Sequence, residues 1–271
     1  MTSRPATDDP ALTDDLALAL LMADAADGLA MGRFRAADLA VETKPDLTPV
    51  TEADRAVEQS LRGILAAQRP GDSVLGEEYG TVGASPRRWI LDPIDGTKNY
   101  VRGVPVWATL IALLDGDEVT VGVVSAPALG RRWWAALGHG AHMSEPGRIE
   151  HRRLQASRVS RLADASLSLS DEVGWAERGS GSGLASLKAG TWRQRGYGDF
   201  WSHMLVAEGA VDVAAEPALQ SYDVAALVPI VVEAGGRISS FDAGPAVGGG
   251  SAVTTNGLLH DEVLALLAAG A

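Results

Sequence analysis

The sequence predicts a layered α/β (α+β) fold. Three observations carry this expectation. Segments of helical and of strand periodicity alternate irregularly, a tight Asp115-Gly116 turn joins two strand-like runs directly, and no internal repeat is present. A regular βαβ array would instead need a long crossover between successive strands. The 271 residues allow one or two domains and a sizeable core; a single unit in two sub-regions, at about 1–150 and 151–271, is expected.

Residues 1–10 are polar and expected to fray. Leu12, Leu16 and Leu20 recur every four residues, which predicts an amphipathic helix from about Thr13 to Ala37, weakened late by Gly28 and Gly32. A strand at Ala40–Thr43 leads into the loop Lys44-Pro45-Asp46-Leu47-Thr48-Pro49. Thr51-Glu52-Ala53-Asp54 fits a relaxed capping box opening a helix to about Gln68. Strands follow at Ser73–Leu75, Arg88–Leu91 and Arg132–Leu137, with the hairpin Ala108–Leu114/Glu118–Ser125 between the last two. Residues 144–165 are irregular, and Gly179-Ser180-Gly181-Ser182-Gly183 reads as a flexible surface loop. Beyond it lie a strand (Trp192–Arg195), a helix (about Asp199–Glu208), a strand (Val211–Ala215), a helix (about Asp223–Ala234), a strand (Arg237–Ser240) and a closing helix (Asp261–Ala269). Pro229 conflicts with an unbroken helix, in whose interior it costs ~3 kcal/mol.

Composition narrows the function. The formal charge of −12 argues against a nucleic-acid partner, whose phosphates attract Lys and Arg. The absence of Cys removes disulfides, thiolate metal sites and a Cys nucleophile. The apolar run Leu16–Ala23 is too short to span a bilayer and lacks a basic leader, so a soluble cytoplasmic protein without a membrane partner is expected.

The most informative stretch is Trp89-Ile90-Leu91-Asp92-Pro93-Ile94-Asp95-Gly96-Thr97-Lys98-Asn99. An apolar strand ends in a carboxylate, Pro93 stiffens its exit, and a second carboxylate follows. Gly96 and Thr97 then offer turn N–H groups to an oxyanion. Carboxylates and carbonyls are the ligands that hard cations prefer. Gly76-Glu77-Glu78 and Asp223, the latter leading to Glu233-Ala234-Gly235-Gly236, are weaker signals. Asp223 and Asp54 each fit a helix cap as well as a functional role, and Gly235 or Gly236 fits the residue after a helix end.

Taken together, Asp92-Pro93-Ile94-Asp95-Gly96-Thr97, Gly76-Glu77-Glu78 and Asp223 with Glu233-Ala234-Gly235-Gly236 resemble the inositol monophosphatase family of Mg²⁺-dependent phosphatases, from about Leu12 to Leu267. Thr43–Thr51 and Tyr197-Gly198-Asp199-Phe200 are most similar to its histidinol-phosphatase branch. The resemblance implies an αβαβα arrangement and commonly a homodimer. It implies that Glu77, Asp92, the Ile94 carbonyl, Asp95 and Asp223 ligate two or more Mg²⁺ ions, and that Gly96 and Thr97 hold the phosphate. Thr97, Asp54 and Glu77 would orient the attacking water, and Glu216 would face the leaving group. Tyr222 in place of the usual Trp, Lys98 in place of a frequent Thr, and Pro229 depart from the family pattern.

The expected reaction is hydrolysis of a small phosphomonoester by direct attack of metal-activated water. An Asp nucleophile would call for D-x-D-x-T, whereas two residues separate Asp92 from Asp95. By the same resemblance Asp199 and Glu216 would place two acids near the leaving group, an environment suited to a cation, and so to L-histidinol phosphate of histidine biosynthesis. The alternatives are an inositol-1-monophosphatase or another small sugar or nucleotide phosphatase, and a non-catalytic phosphometabolite-binding relative. Asp199 as a helix cap is the plain alternative to a substrate role. His139-Gly140-Ala141-His142 reads as a Gly-rich turn, and Gly248-Gly249-Gly250 as another turn.

Overall fold

The computed structural model describes residues 10–45, 47–169 and 174–268. Expectations for residues 1–9, Asp46 and Ala269 fall outside them, and so does the side chain of Leu12. Helix α1 (Pro10–Arg33) runs through Gly28 and Gly32 and ends where Arg35 turns left-handed, at φ 62°. Strands β1 (Val41–Thr43) and β2 (Pro49–Thr51) pair antiparallel across the 44–48 loop. Helix α2 (Glu52–Gln68) opens on the expected capping box. The Thr51 side chain accepts the Ala53 and Asp54 N–H groups, and the Asp54 carboxylate accepts the Thr51 N–H.

Next come β3 (Ser73–Gly76), β4 (Gly80–Val82), β5 (Arg87–Asp95), α3 (Thr97–Val101) and β6 (Ala108–Asp115). Strands β7 (Glu118–Ala126), β8 (Arg131–Ala136), β9 (Ala141–Ser144) and β10 (Arg152–Arg153) follow. They build an eight-stranded sheet in the order β10-β9-β8-β7-β6-β5-β3-β4, in which β3 and β5 run parallel. The remaining elements are β11 (Ser166–Ser168), α4 (Gly181–Gly190), β12 (Arg193–Arg195), α5 (Asp199–Ala207), β13 (Val213–Glu216), α6 (Ser221–Val224), α7 (Leu227–Glu233), β14 (Arg237–Ser239), β15 (Ala252–Thr255) and α8 (His260–Ala268). Their strands form a five-stranded sheet, β12-β11-β13-β15-β14.

Strand alternation sorts the core into layers. Trp89, Leu91, Ile111, Leu113, Val121 and Val123 face α1 and α2, against Met22, Val57 and Leu61. Ile90, Leu110, Val124 and Trp133 point the other way, onto Met204 of α5 and Ile230 of α7. The far side of the small sheet buries Leu167, Val213 and Val253 against Leu187 of α4 and Val263 of α8. The order is helix, sheet, helix, sheet, helix, as the αβαβα expectation required.

Three expectations are corrected. Gly179–Gly183 is not a flexible surface loop: Ser180 is buried and α4 begins at Gly181. A Cβ on Gly183 would stand 2.8 Å from the Leu267 Cα, so its small size is what lets α4 and α8 close together. The helix over 223–234 is broken into α6 and α7, with Pro229 in the first turn of α7. There an N–H has no intrahelical partner to lose, and the Ala225 carbonyl accepts the Val228 N–H at 3.3 Å instead. The expected end of that helix is present, with Gly235 and Gly236 N–H groups donating to Val232 and Val231 carbonyls at 2.9 Å each. Finally, the turn before His142 is short. Glu233 accepts the Gly138 and Gly140 N–H groups at 2.8 and 2.7 Å, and His142 already belongs to β9, stacked on Trp134.

Candidate active site

Asp92 and Asp95 lie at the end of β5, and residues three apart in a regular strand face opposite sides. The pairing of β5 with β6 runs Asp92↔Leu110 and then Asp95↔Ala108, so a bulge at Pro93-Ile94 absorbs one extra residue. That parity change turns both carboxylates into one cleft. Thr109 Oγ1 donates to the Pro93 carbonyl at 2.8 Å and fixes the bulge. The Phe200 N–H at the start of α5 donates to Asp95 Oδ2 at 2.8 Å. Asp223 arrives from α6, where its Oδ2 accepts the Gln220 N–H at 2.6 Å. Asp223 is thus not the N-cap expected of it: Gln220 is, and Asp223 closes the capping box from the third helical position with one oxygen.

Asp92, Asp95 and Asp223 each bring a carboxylate oxygen within 4.8 Å of the other two. Asp92 Oδ1 is buried without a hydrogen-bond partner. Such an oxygen is costly unless a ligand meets it. Oxygen-only donors converging on an orphaned carboxylate fit a hard divalent cation. Burial first, and then the charges of Glu77, Asp95 and Asp223, push the Asp92 carboxyl well above the carboxylate range. Burial and then Asp199 raise Asp95 likewise, and Asp223 is pushed up to about 7, chiefly by burial. Like charges this crowded favour protons or cations between them.

Glu77 follows β3 and lines the same cleft, and its charge acts on Asp92. Lys44 Nζ donates to Glu77 Oε1 at 2.7 Å and to Glu78 Oε1 at 2.6 Å. Burial alone would depress the Lys44 ammonium; the two carboxylates outweigh it and hold the ammonium above its usual range. The turn itself hangs on Glu58, fully buried on α2, which accepts the Glu78 and Tyr79 N–H groups at 2.7 and 3.2 Å.

Gly96 sits at φ 82°, the left-handed conformation that lets the chain turn from β5 into α3. A Cβ there would lie 3.0 Å from the Val106 carbonyl oxygen. Thr97 Oγ1 is 2.9 Å from the Ile94 carbonyl and 3.3 Å from Asp54 Oδ1. Asp54 thus has two faces. Its Oδ2 accepts the Thr51 N–H and Oγ1 at 2.8 and 2.5 Å, while Oδ1 meets Thr97. Burial, opposed by those Thr51 bonds, raises its carboxyl.

Asp199 is the first residue of α5, after the N-cap Gly198, with a left-handed φ of 43°. Its Oδ2 accepts from Asn99 Nδ2 at 3.4 Å, tying α5 to α3. Glu216 ends β13, buried. The main cleft, about 520 Å³, is lined by Glu77, Asp92, Asp95, Thr97, Asp199 and Asp223 among others. An adjoining cavity of about 410 Å³ carries Glu216. Sequence reasoning did not single out Glu58, Asn99 or His203. Helical spacing offered a signal for two of them, since Glu58 lies four residues after Asp54 and His203 four after Asp199.

The sequence profile of the inositol monophosphatase family matches residues 12–269. The chain belongs to the inositol monophosphatase family. Among members of this family, it is 59% identical over 258 residues to the histidinol-phosphatase of Mycobacterium tuberculosis, covering 95% of this chain and 99% of that protein. It is 55% identical over 262 residues to the histidinol-phosphatase of Streptomyces coelicolor, covering 95% and 98%. The structure superposes on the Thermotoga maritima IMPase with a TM-score of 0.82 at 29% identity, over 94% of this chain and 97% of the other.

Proposed function

We propose that the protein is a Mg²⁺-dependent phosphomonoesterase that hydrolyses L-histidinol phosphate to L-histidinol and phosphate. The observation that carries this reading is the convergence of Asp92, Asp95 and Asp223 beside the Thr97–Asp54 pair, with two further acids, Asp199 and Glu216, in the adjoining cavity. Asp92, Asp95, Asp223, the Ile94 carbonyl and, once released from Lys44, Glu77 would hold two or more Mg²⁺ ions. Bound there, the ions supply charge stabilisation of the phosphoryl oxygens and of the leaving oxygen.

The chain's own groups do the rest. The N–H groups of Gly96 and Thr97 open α3 and meet the phosphoryl oxygens. Thr97 Oγ1, Glu77 and Asp54 orient the attacking water, and Asp54 Oδ1 receives a proton relayed through the Thr97 hydroxyl. Water forms the new P–O bond as the ester P–O bond opens in line, and no residue is phosphorylated. Asp199 and Glu216 attract the cationic histidinol end in a partly dry cavity. The resemblance further supports a homodimer in the cytoplasm; among the described residues, no helix is long and apolar enough to cross a membrane.

The test is a panel of phosphomonoesters with and without Mg²⁺, reading released phosphate. Histidinol phosphate is expected to lead in kcat/KM, with activity lost in EDTA. Equal or better kcat/KM on inositol 1-phosphate would reject the substrate, and a trapped phospho-residue would reject the mechanism.

A further inference from the structure

Below the adjoining cavity lies a buried polar pair that this mechanism does not use. His203 on α5 is 1% exposed. Its Nδ1 stands 2.7 Å from Thr254 Oγ1 on β15, and its Nε2 stands 3.6 Å from Glu216 Oε1. Glu216 Oε1 is itself buried without a hydrogen-bond partner, and both residues line the cavity that also holds Asp199.

We propose that His203 is a positioning residue for substrate choice: through Nε2 it holds the Glu216 carboxylate in the orientation that receives a cationic leaving group. The inference rests on the reading of Glu216 as a leaving-group acid. A buried carboxylate selects the imidazole tautomer that points a proton at it. Nε2 therefore carries the hydrogen, Nδ1 accepts, and the Thr254 hydroxyl donates. Thr254 pairs with Ala214 in the neighbouring strand β13, which ends in Glu216, so the imidazole is anchored by the same sheet as the carboxylate it faces. At 3.6 Å the contact is electrostatic, longer than a hydrogen bond. It orients the carboxylate and leaves Oε1 free for the substrate's cation; such contacts tighten when a ligand arrives. The pairing matters to a cationic ester and not to a neutral one.

Two substitutions separate this role from a structural one. His203→Asn keeps an amide near Thr254 and loses the Nε2 position. His203→Gln loses the first and keeps an N–H toward Glu216. The readouts are kcat and KM for histidinol phosphate and for β-glycerol phosphate, whose leaving group is uncharged. His203→Asn is expected to raise KM for histidinol phosphate about tenfold with kcat little changed, the size of one contact to a charged group. KM for β-glycerol phosphate stays put, His203→Gln recovers most of the loss, and His203→Asn has no further effect in a Glu216→Gln background. The inference is overturned if both esters move together, if Asn and Gln behave alike, or if the two losses simply add. If Glu216→Gln alone leaves histidinol phosphate untouched, the reading of Glu216 falls first and this inference with it. If Glu216→Gln raises KM and His203→Asn does nothing, the site reading stands and this inference alone fails.

Discussion

Asp92 keeps a buried carboxylate oxygen with no donor, whereas Asp212 at the base of the small sheet has both oxygens occupied, one by the Ser157 hydroxyl and one by the Ser166 N–H at 2.6 Å. The neighbours of Asp212 are equally provided for. Asn256 Nδ2 donates to Ser157 Oγ at 2.9 Å and to the Val159 carbonyl at 2.7 Å, and its Oδ1 accepts the Leu258 and Leu259 N–H groups at 3.1 and 3.3 Å. His260 is within 2.9 Å of Ser239 Oγ and 3.1 Å of Thr255 Oγ1. Burial alone therefore does not mark a functional acid. Around Asp212 polar burial is closed by partners and serves stability; in the cleft, and at Glu216 beside it, it is left open and available to a ligand.

The cleft gives the largest effect. Asp95→Asn keeps an oxygen for the Phe200 N–H and removes one of the clustered charges. Activity should fall roughly a thousandfold, because each tenfold is 1.36 kcal/mol and charge stabilisation by a bound cation is worth several. The same variant should melt no lower than wild type in EDTA, since like-charge repulsion is relieved. A variant that unfolds while the wild type stays folded would put Asp95 with Asp212, as a structural group. Thr97→Val keeps the volume and removes the hydroxyl beside Asp54. A drop of about a hundredfold in kcat is expected, the usual scale for a proton-transfer partner, with little loss of melting temperature.

The closed network should answer in the opposite currency. Asn256→Ala leaves the Leu258 and Leu259 N–H groups and the Val159 carbonyl unmet, which should cost about 3 kcal/mol of stability. Urea midpoints measure that cost, and kcat per folded molecule should be unchanged. A variant as stable as wild type but slow would erase the distinction between the two regions.

Much of this was legible in the chain. The Asp115-Gly116 turn between two strand-like runs gave the hairpin, and Thr51-Glu52-Ala53-Asp54 gave the start of α2, because both are local signals. The cleft was legible as a set of residue types in Asp92–Thr97; Asp54 and Asp223 each close a capping box with one oxygen, while the other oxygen of Asp54 meets Thr97 and Asp223 lines the cleft. The bulge that turns Asp92 and Asp95 to one side depends on pairing with β6, and sequence spacing alone would have separated them. Composition misled at Gly179–Gly183, where glycine signals close helix contact and not flexibility, a distinction that depends on α8 far along the chain. Lys44 on Glu77, Glu58 under the Glu77-Glu78 turn and His203 against Glu216 are contacts between separate segments; helical spacing could place Glu58 and His203 on a face but not name their partners.

The smallest effect comes from protons on the closed side. Burial first, and then the Arg237 charge, depress the His260 imidazole from 6.5 to about 4. The folded state thus binds fewer protons than the unfolded chain between those values, so stability rises with pH across that window. His260 contributes its full share above pH 6.5 and loses it progressively as the pH falls toward about 4. Urea midpoints taken every half unit from pH 7 to 4 should fall more steeply in wild type than in His260→Gln, whose side chain does not titrate. The comparison is of slopes, so a uniform destabilisation by the substitution does not disturb it. Parallel slopes would mean that Ser239 and Thr255 hold a charged imidazole as readily as a neutral one, and the network would no longer be closed in the sense that separates it from the cleft.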